Sequence, residues 1–181
     1  MKILDVEKIY KAHVFEVEKI KCELPDGRQR HYDLVRHGPA VVLVPVTEDG
    51  SILFVKQYRL GAEKELLELP AGMINDGEDP DPAAERELQE ETGYESLNIK
   101  KLGGFYASAG YCSEYLNIYL ARELKWNPLP QDDDEFLSNI SMSVEEAYEA
   151  VASGKIEDAK TIAALMMAQK YIKPVKAEYG L

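Results

Sequence analysis

Gly72-Met73-Ile74-Asn75-Asp76-Gly77-Glu78-Asp79-Pro80-Asp81-Pro82-Ala83-Ala84-Glu85-Arg86-Glu87-Leu88-Gln89-Glu90-Glu91-Thr92-Gly93-Tyr94 is the stretch on which the reading of this chain turns. Pro80 and Pro82 stand in what would be a first helical turn, beside the capping acids Asp79 and Asp81. Gly93 stands where a helix C-terminus takes a left-handed residue, so the pattern predicts a helix over 80–92. Successive residues lie about 100° apart around such a helix, which puts Glu87, Glu90 and Glu91 inside an arc of roughly 100°. Like charges three and four residues apart each destabilise by a few tenths of a kcal/mol. The macrodipole disfavours anions in the last turn, where Glu90 and Glu91 fall, by roughly 0.3–1 kcal/mol each. A divalent cation reverses the sign of every one of these terms, and Mg²⁺ in particular is held by a few carboxylates, water and substrate phosphates. A solvated acidic face is the other reading that helix charge alone allows.

The rest of the composition separates these readings. The formal net charge is −12 over 181 residues, yet it is concentrated. Residues 75–95 hold nine acids and one base, and 131–135 add Asp132, Asp133, Asp134 and Glu135. Outside these two segments acids and bases balance. Local acidity of this kind suggests cation sites, where uniform acidity would have meant solubility. The absence of a basic stripe argues against a nucleic-acid polymer as partner. The longest apolar run, Ala40–Val46, falls far short of the ~20 residues a membrane helix needs, and Asp5 interrupts the N-terminus before a signal sequence can form. Cys22 and Cys112 lie far apart and outside metal-ligand spacing, as thiols of a reducing compartment would. The expected location is cytoplasmic.

Around the decisive stretch the chain alternates strands and helices. Ile20, Cys22 and Leu24 share one strand face, and the turn Pro25-Asp26-Gly27 leads into Arg28–Arg36, so residues 8–38 read as an antiparallel hairpin or small sheet. Further strands are expected at Ala40–Val46, Ile52–Tyr58, Ile99–Tyr106, Tyr115–Ala121 and Phe136–Ile140. A second helix opens at Ser143 with a capping box to Glu146 and stops at Gly154, and a third spans about Asp158 to Tyr171. Without regular βαβ repetition this is α+β: an α/β/α sandwich around a mixed central sheet, carrying an N-terminal antiparallel hairpin or sheet. The expected division is residues 1–38 as that N-terminal element and 39–181 as the catalytic domain.

The spacing of the opening stretch matches the Nudix box in full: Gly, five residues, Glu, seven residues, Arg-Glu-aliphatic-any-Glu-Glu-any-Gly-hydrophobic. The resemblance runs from about residue 30 to 172. It is nearest to the ADP-ribose pyrophosphatase branch of the Nudix hydrolases, through Val55–Arg59, Glu68–Gly72 and Gly154–Thr161. It implies a Nudix-like fold and hydrolysis of a nucleoside diphosphate linked to a second moiety, using two or three Mg²⁺ (or Mn²⁺) ions. Glu87 and Glu91 are then metal ligands, and Glu90 is a bridging or second-metal ligand counted with the catalytic residues. The Ala71 carbonyl completes the coordination. Arg86 orients the glutamates by ion pairing, Glu78 supports the loop, and Gly72 and Gly93 are backbone devices.

In ADP-ribose hydrolases the base that activates water comes from an acidic loop far downstream of the box. That implies Asp132, Asp134 or Glu135 here, against the plain alternative of a solvated acidic turn. Arg59 is a candidate phosphate contact; its alternative is a surface ion pair with Glu63 or Glu65. Glu114 is a candidate metal or substrate ligand, and Tyr111 a candidate base-stacking residue or a packing one. One departure stands out: Ala109 occupies the place where this branch carries proline. The expected substrate is ADP-ribose, split to AMP and ribose 5-phosphate. GDP-mannose or another nucleotide sugar, a dinucleoside polyphosphate, and a non-catalytic binding module are the alternatives. Relatives commonly pair through their N-terminal strands, and a small sheet with open edges wants a partner, so a homodimer is expected.

Overall fold

The computed structural model describes residues 1–131 and 136–172. Strand β4 (Ala40–Pro45) explains the layering. All six residues are buried, and their alternation divides them between two cores. Ala40, Val42 and Val44 face a large cluster, while Val41 and Leu43 face a smaller one. Strand β9 (Tyr115–Trp126) does the same, sending Leu116, Ile118 and Leu120 to the first and Tyr119 and Ala121 to the second. A strand apolar on both faces needs cover on both.

The smaller core is closed by helix α1 (Pro80–Thr92) through Ala83, Ala84 and Leu88. The larger one is closed by α2 (Val144–Ala152) and α3 (Ala159–Ile172). Burying a leucine such as Leu88, 0% exposed, is worth about 2 kcal/mol, so α1 is fixed to the sheet by its apolar face, and Glu87 and Glu91 are buried with it.

Strands β4 and β9 run parallel; β7 (Ala71–Met73) and β8 (Tyr94–Tyr106) flank them antiparallel, giving a mixed sheet in the order β7-β4-β9-β8. A second sheet, β10-β5-β6, joins β5 (Ile52–Arg59) to β6 (Lys64–Glu68) and β10 (Ser138–Met142), all antiparallel. Ahead of both lies a sheet of β1 (Lys2–Lys11), β2 (Phe15–Glu23) and β3 (Gln29–His37). Among the described residues no helix is long and apolar enough to cross a membrane.

The fold is the expected α+β arrangement with four differences in detail. The N-terminal element has three strands and begins at Lys2, because β1 pairs along nearly the whole of β2. β8 starts immediately after the Gly93 cap, five residues earlier than expected, as the outer strand of the mixed sheet. β6 and β7 were not expected at all. β10 lies two residues further on than Phe136–Ile140, in register with β5.

Candidate active site

The ends of α1 follow their local chemistry. Pro80 opens the helix, and Gly93 closes it with φ +80°, its N–H donating to the Gln89 carbonyl. Asp79 holds the N-cap position but makes no side-chain cap bond. The acid that anchors this end is Asp81, which accepts a hydrogen bond from the Tyr119 hydroxyl at 2.5 Å. Burial of the ring, and then Asp81, push the Tyr119 phenol well above its usual range. That bond ties the first turn of α1 to β9.

Arg86 is the hub of the helix face. Its Nε and Nη2 donate to the two carboxylate oxygens of Glu78 at 3.0 and 2.9 Å. One nitrogen, Nη1, donates to both Glu87 (2.7 Å) and Glu90 (2.8 Å). Nη2 also donates to the Met73 carbonyl at 3.0 Å. A guanidinium has five N–H donors, and these contacts use all five. Glu78 first, with Glu87 and Glu90 against the opposing effect of burial, holds the Arg86 cation far above the usual range. Glu78 in turn is held below the usual carboxylate range by Arg86, and it accepts the Asn75 N–H. The repulsion expected among the box glutamates is therefore met from inside the helix: Arg86 bridges Glu87 and Glu90 and pins the 73–78 loop in the same act.

Glu91 faces the other way, 1% exposed, and accepts the Ala71 N–H at 3.0 Å. Glu87 lies against the same short strand. A Cβ on Gly72 would sit 2.0 Å from the Glu87 carboxyl carbon, so only glycine leaves that carboxylate its place. Ala71, Gly72, Glu87 and Glu91 thus adjoin one another, with Glu90 linked to Glu87 through Arg86. Among the described residues no three His, Cys, Asp or Glu side chains converge as a ready metal cage; Glu87 and Glu90 are drawn onto Arg86, and Glu91 onto the Ala71 N–H.

Arg59 pairs neither with Glu63 nor with Glu65. It grips Glu68 through two parallel hydrogen bonds of 2.8 and 2.6 Å. Glu68 is fully buried and takes a second cation, the Lys160 ammonium. Burial alone would raise the Glu68 carboxyl, but Arg59 and Lys160 outweigh it and hold the group below its usual range. Glu91 and Asp158 add to the field that favours the Arg59 cation, so the guanidinium is within electrostatic reach of Glu91 on α1. Lys160 also meets Asp158 at 3.1 Å. Asp158 caps α3 by accepting from the Thr161 N–H and hydroxyl, and that hydroxyl oxygen accepts the Leu69 N–H. The segments 55–59, 68–72 and 154–161 thereby meet in one network. Glu68 and Lys160 carried no role in the sequence reading. The usable signal was a carboxylate in the otherwise apolar, strand-like Leu66–Pro70.

Tyr111 and Glu114 are carried by the loop that precedes β9. The 108–114 loop is stitched to β3: Val35 donates to the Tyr111 carbonyl, Ser113 donates to Val35, and the Ser113 hydroxyl oxygen accepts the His37 N–H. Tyr111 is 60% exposed, and Glu114 lies 3.8 Å from His37 Nδ1. A cleft of about 810 Å³ opens between the β1–β2 turn and the 73–78 loop, with His13, Arg36, Asp76 and Glu78 on its walls. Asp132, Asp134 and Glu135 lie outside the described residues.

The NUDIX domain model matches residues 36–165. The chain belongs to the NUDIX domain family. It is 36% identical over 170 residues to the ADP-ribose pyrophosphatase of Bacillus subtilis (strain 168), covering 93% of this chain and 92% of that one. The same identity and coverage hold for the methanol dehydrogenase activator of Bacillus methanolicus. A crystal structure of an ADP compounds hydrolase superposes with a TM-score of 0.85 at 27% identity, covering 94% of this chain and 92% of that one. The fold is therefore Nudix-like and the chain is a hydrolase of that family.

Proposed function

We propose that this NUDIX hydrolase cleaves the pyrophosphate bond of ADP-ribose, giving AMP and ribose 5-phosphate, with Mg²⁺ as its metal. The observation that carries the reading is the placement of the Glu87 carboxylate over Gly72, beside Glu91 on Ala71, in a chain so similar to a named ADP-ribose pyrophosphatase. The donor set fits a hard cation: Glu87, Glu90 and Glu91 supply carboxylate oxygens and Ala71 a carbonyl oxygen. Those residues would hold the ion, which when bound supplies charge neutralisation, alignment and a water of lowered pKa. The chain's own part is orientation. Arg86 fixes Glu87 and Glu90, and Arg59, set by Glu68, offers its guanidinium to the diphosphate. The proposal takes the base from Asp132, Asp134 or Glu135, with Glu114 and Tyr111 as outer substrate contacts.

The test is a substrate panel with products identified by mass spectrometry. Mg²⁺-dependent AMP from ADP-ribose is the expected result. Much faster turnover of GDP-mannose or a dinucleoside polyphosphate would overturn the substrate, and no turnover of any would leave a binding module. A homodimer belongs to the same proposal. Every residue of β1 is exposed, including Ile3, Leu4, Val6, Ile9 and Tyr10, an apolar surface of the kind partners cover. A monomer by light scattering at micromolar concentration refutes it.

A further inference from the structure

Lys160 has no place in the site as read from the box, yet it is tied to it through Glu68. Its ammonium, on the first turn of α3, contacts the buried Glu68 carboxylate that also grips Arg59. Arg59 and Lys160 face Glu68 and Asp158, so the charges joined by ion pairs balance. Without Lys160 they sum to net −1, and the surplus anion lies directly behind the cation that is to meet a diphosphate. In a poorly solvated setting such a charge acts strongly, because Coulomb energy scales inversely with the local dielectric. Arg59 gives only two of its five donors to Glu68, so it has N–H groups to offer while Glu68 fixes its plane. Their attraction for phosphate is cancelled unless Glu68 is neutralised by something else.

We propose that Lys160 is a positioning residue for substrate binding: it neutralises Glu68 so that the charge of Arg59 is available to the substrate diphosphate. The inference rests on the reading of Arg59 as a phosphate contact. It assigns Lys160 an effect on KM and little on kcat, since Lys160 touches Glu68 and not the box glutamates.

The experiment measures kcat and KM for ADP-ribose at saturating Mg²⁺, with melting temperatures, in Lys160→Met, Glu68→Gln/Lys160→Met and Arg59→Ala. Lys160→Met is expected to raise KM about tenfold and leave kcat within about threefold. The double variant restores the charge balance and is expected to bring KM back to within about threefold of wild type. A lowered melting temperature with unchanged KM in Lys160→Met makes the lysine merely structural and overturns the proposal. So does a raised KM that Glu68→Gln fails to restore, because Lys160 would then act on substrate directly. Arg59→Ala separates the two levels: if it leaves KM unchanged, the phosphate role of Arg59 falls and takes the proposal with it. If it raises KM while Lys160→Met does not, only the role of Lys160 falls.

Discussion

Gly72→Ala isolates the placement of one carboxylate. Gly72 does not occupy the left-handed region, so the substitution carries no backbone strain, and its effect is steric. The new Cβ would lie 2.0 Å from the Glu87 carboxyl carbon and Oε2, and 2.3 Å from Oε1, whereas ordinary contact begins near 3.4 Å. The carboxylate must therefore retreat by more than an ångström. It cannot do so at leisure, because Glu87 is 7% exposed and Arg86 holds its other side at 2.7 Å. Overpacking of this size costs about 1–3 kcal/mol, or a fall in melting temperature of several degrees at about 2–4 °C per kcal/mol. Misplacing a reactive group by about 1 Å costs on the order of 10²-fold in rate. The expected outcome is a folded protein, a few degrees less stable, with kcat for ADP-ribose down about a hundredfold. Gly61→Ala, where a Cβ meets nothing within 4 Å, serves as the control and should match wild type. A Gly72→Ala enzyme with kcat within about threefold of wild type would refute the reasoning, since the site would then work without Glu87 in its present position.

Three further outcomes follow from the same geometry. Arg86→Lys keeps the charge but replaces a five-donor fork by three donors; losing two or more charged hydrogen bonds should cost about 2–4 kcal/mol and about a hundredfold in kcat, read by denaturation and steady-state kinetics. Tyr119→Phe keeps the packed ring and removes only the bond to Asp81, so about 1 kcal/mol and a few degrees of melting temperature should go while kcat falls less than about fivefold; a hundredfold loss would show that α1 is positioned from this end. Glu68 has its carboxyl depressed in the folded state by Arg59 and Lys160, which outweigh the opposing effect of burial. Its contribution to stability is therefore present above the unfolded value near 4.5 and is lost as pH falls through the folded value. Urea denaturation from pH 6 to 3 should show a steeper loss below pH 4.5 in wild type than in Glu68→Gln, and equal slopes would refute it.

What the sequence disclosed and what it hid divide along a physical line. Features set within a few residues were legible. The Gly93 cap is set by its own left-handed φ, the Ser143–Glu146 capping box closes on itself, and the unbroken burial of Ala40–Pro45 follows from its apolar run. Pairings that depend on which strands meet were not. The three residues Ala71-Gly72-Met73 have no strand signature of their own and become β7 only because β4 offers an edge beside them. Lys64-Glu65-Leu66-Leu67-Glu68 lacks the alternation of a strand and is one through its hairpin with β5. Arg59 shows the consequence for the site. Near neighbours in sequence, Glu63 and Glu65, were reasonable partners, but Glu65 was taken by Lys56. The hairpin turned Glu68 inward, where a buried carboxylate without a cation would cost several kcal/mol. Burial, hinted at only by the apolar neighbours of Glu68, decided the partner, and it demanded Lys160 as well from about ninety residues away. Local spacing could name the carboxylates that line α1. It could not supply the charge balance behind Arg59, because that is a property of three elements meeting and of none of them alone.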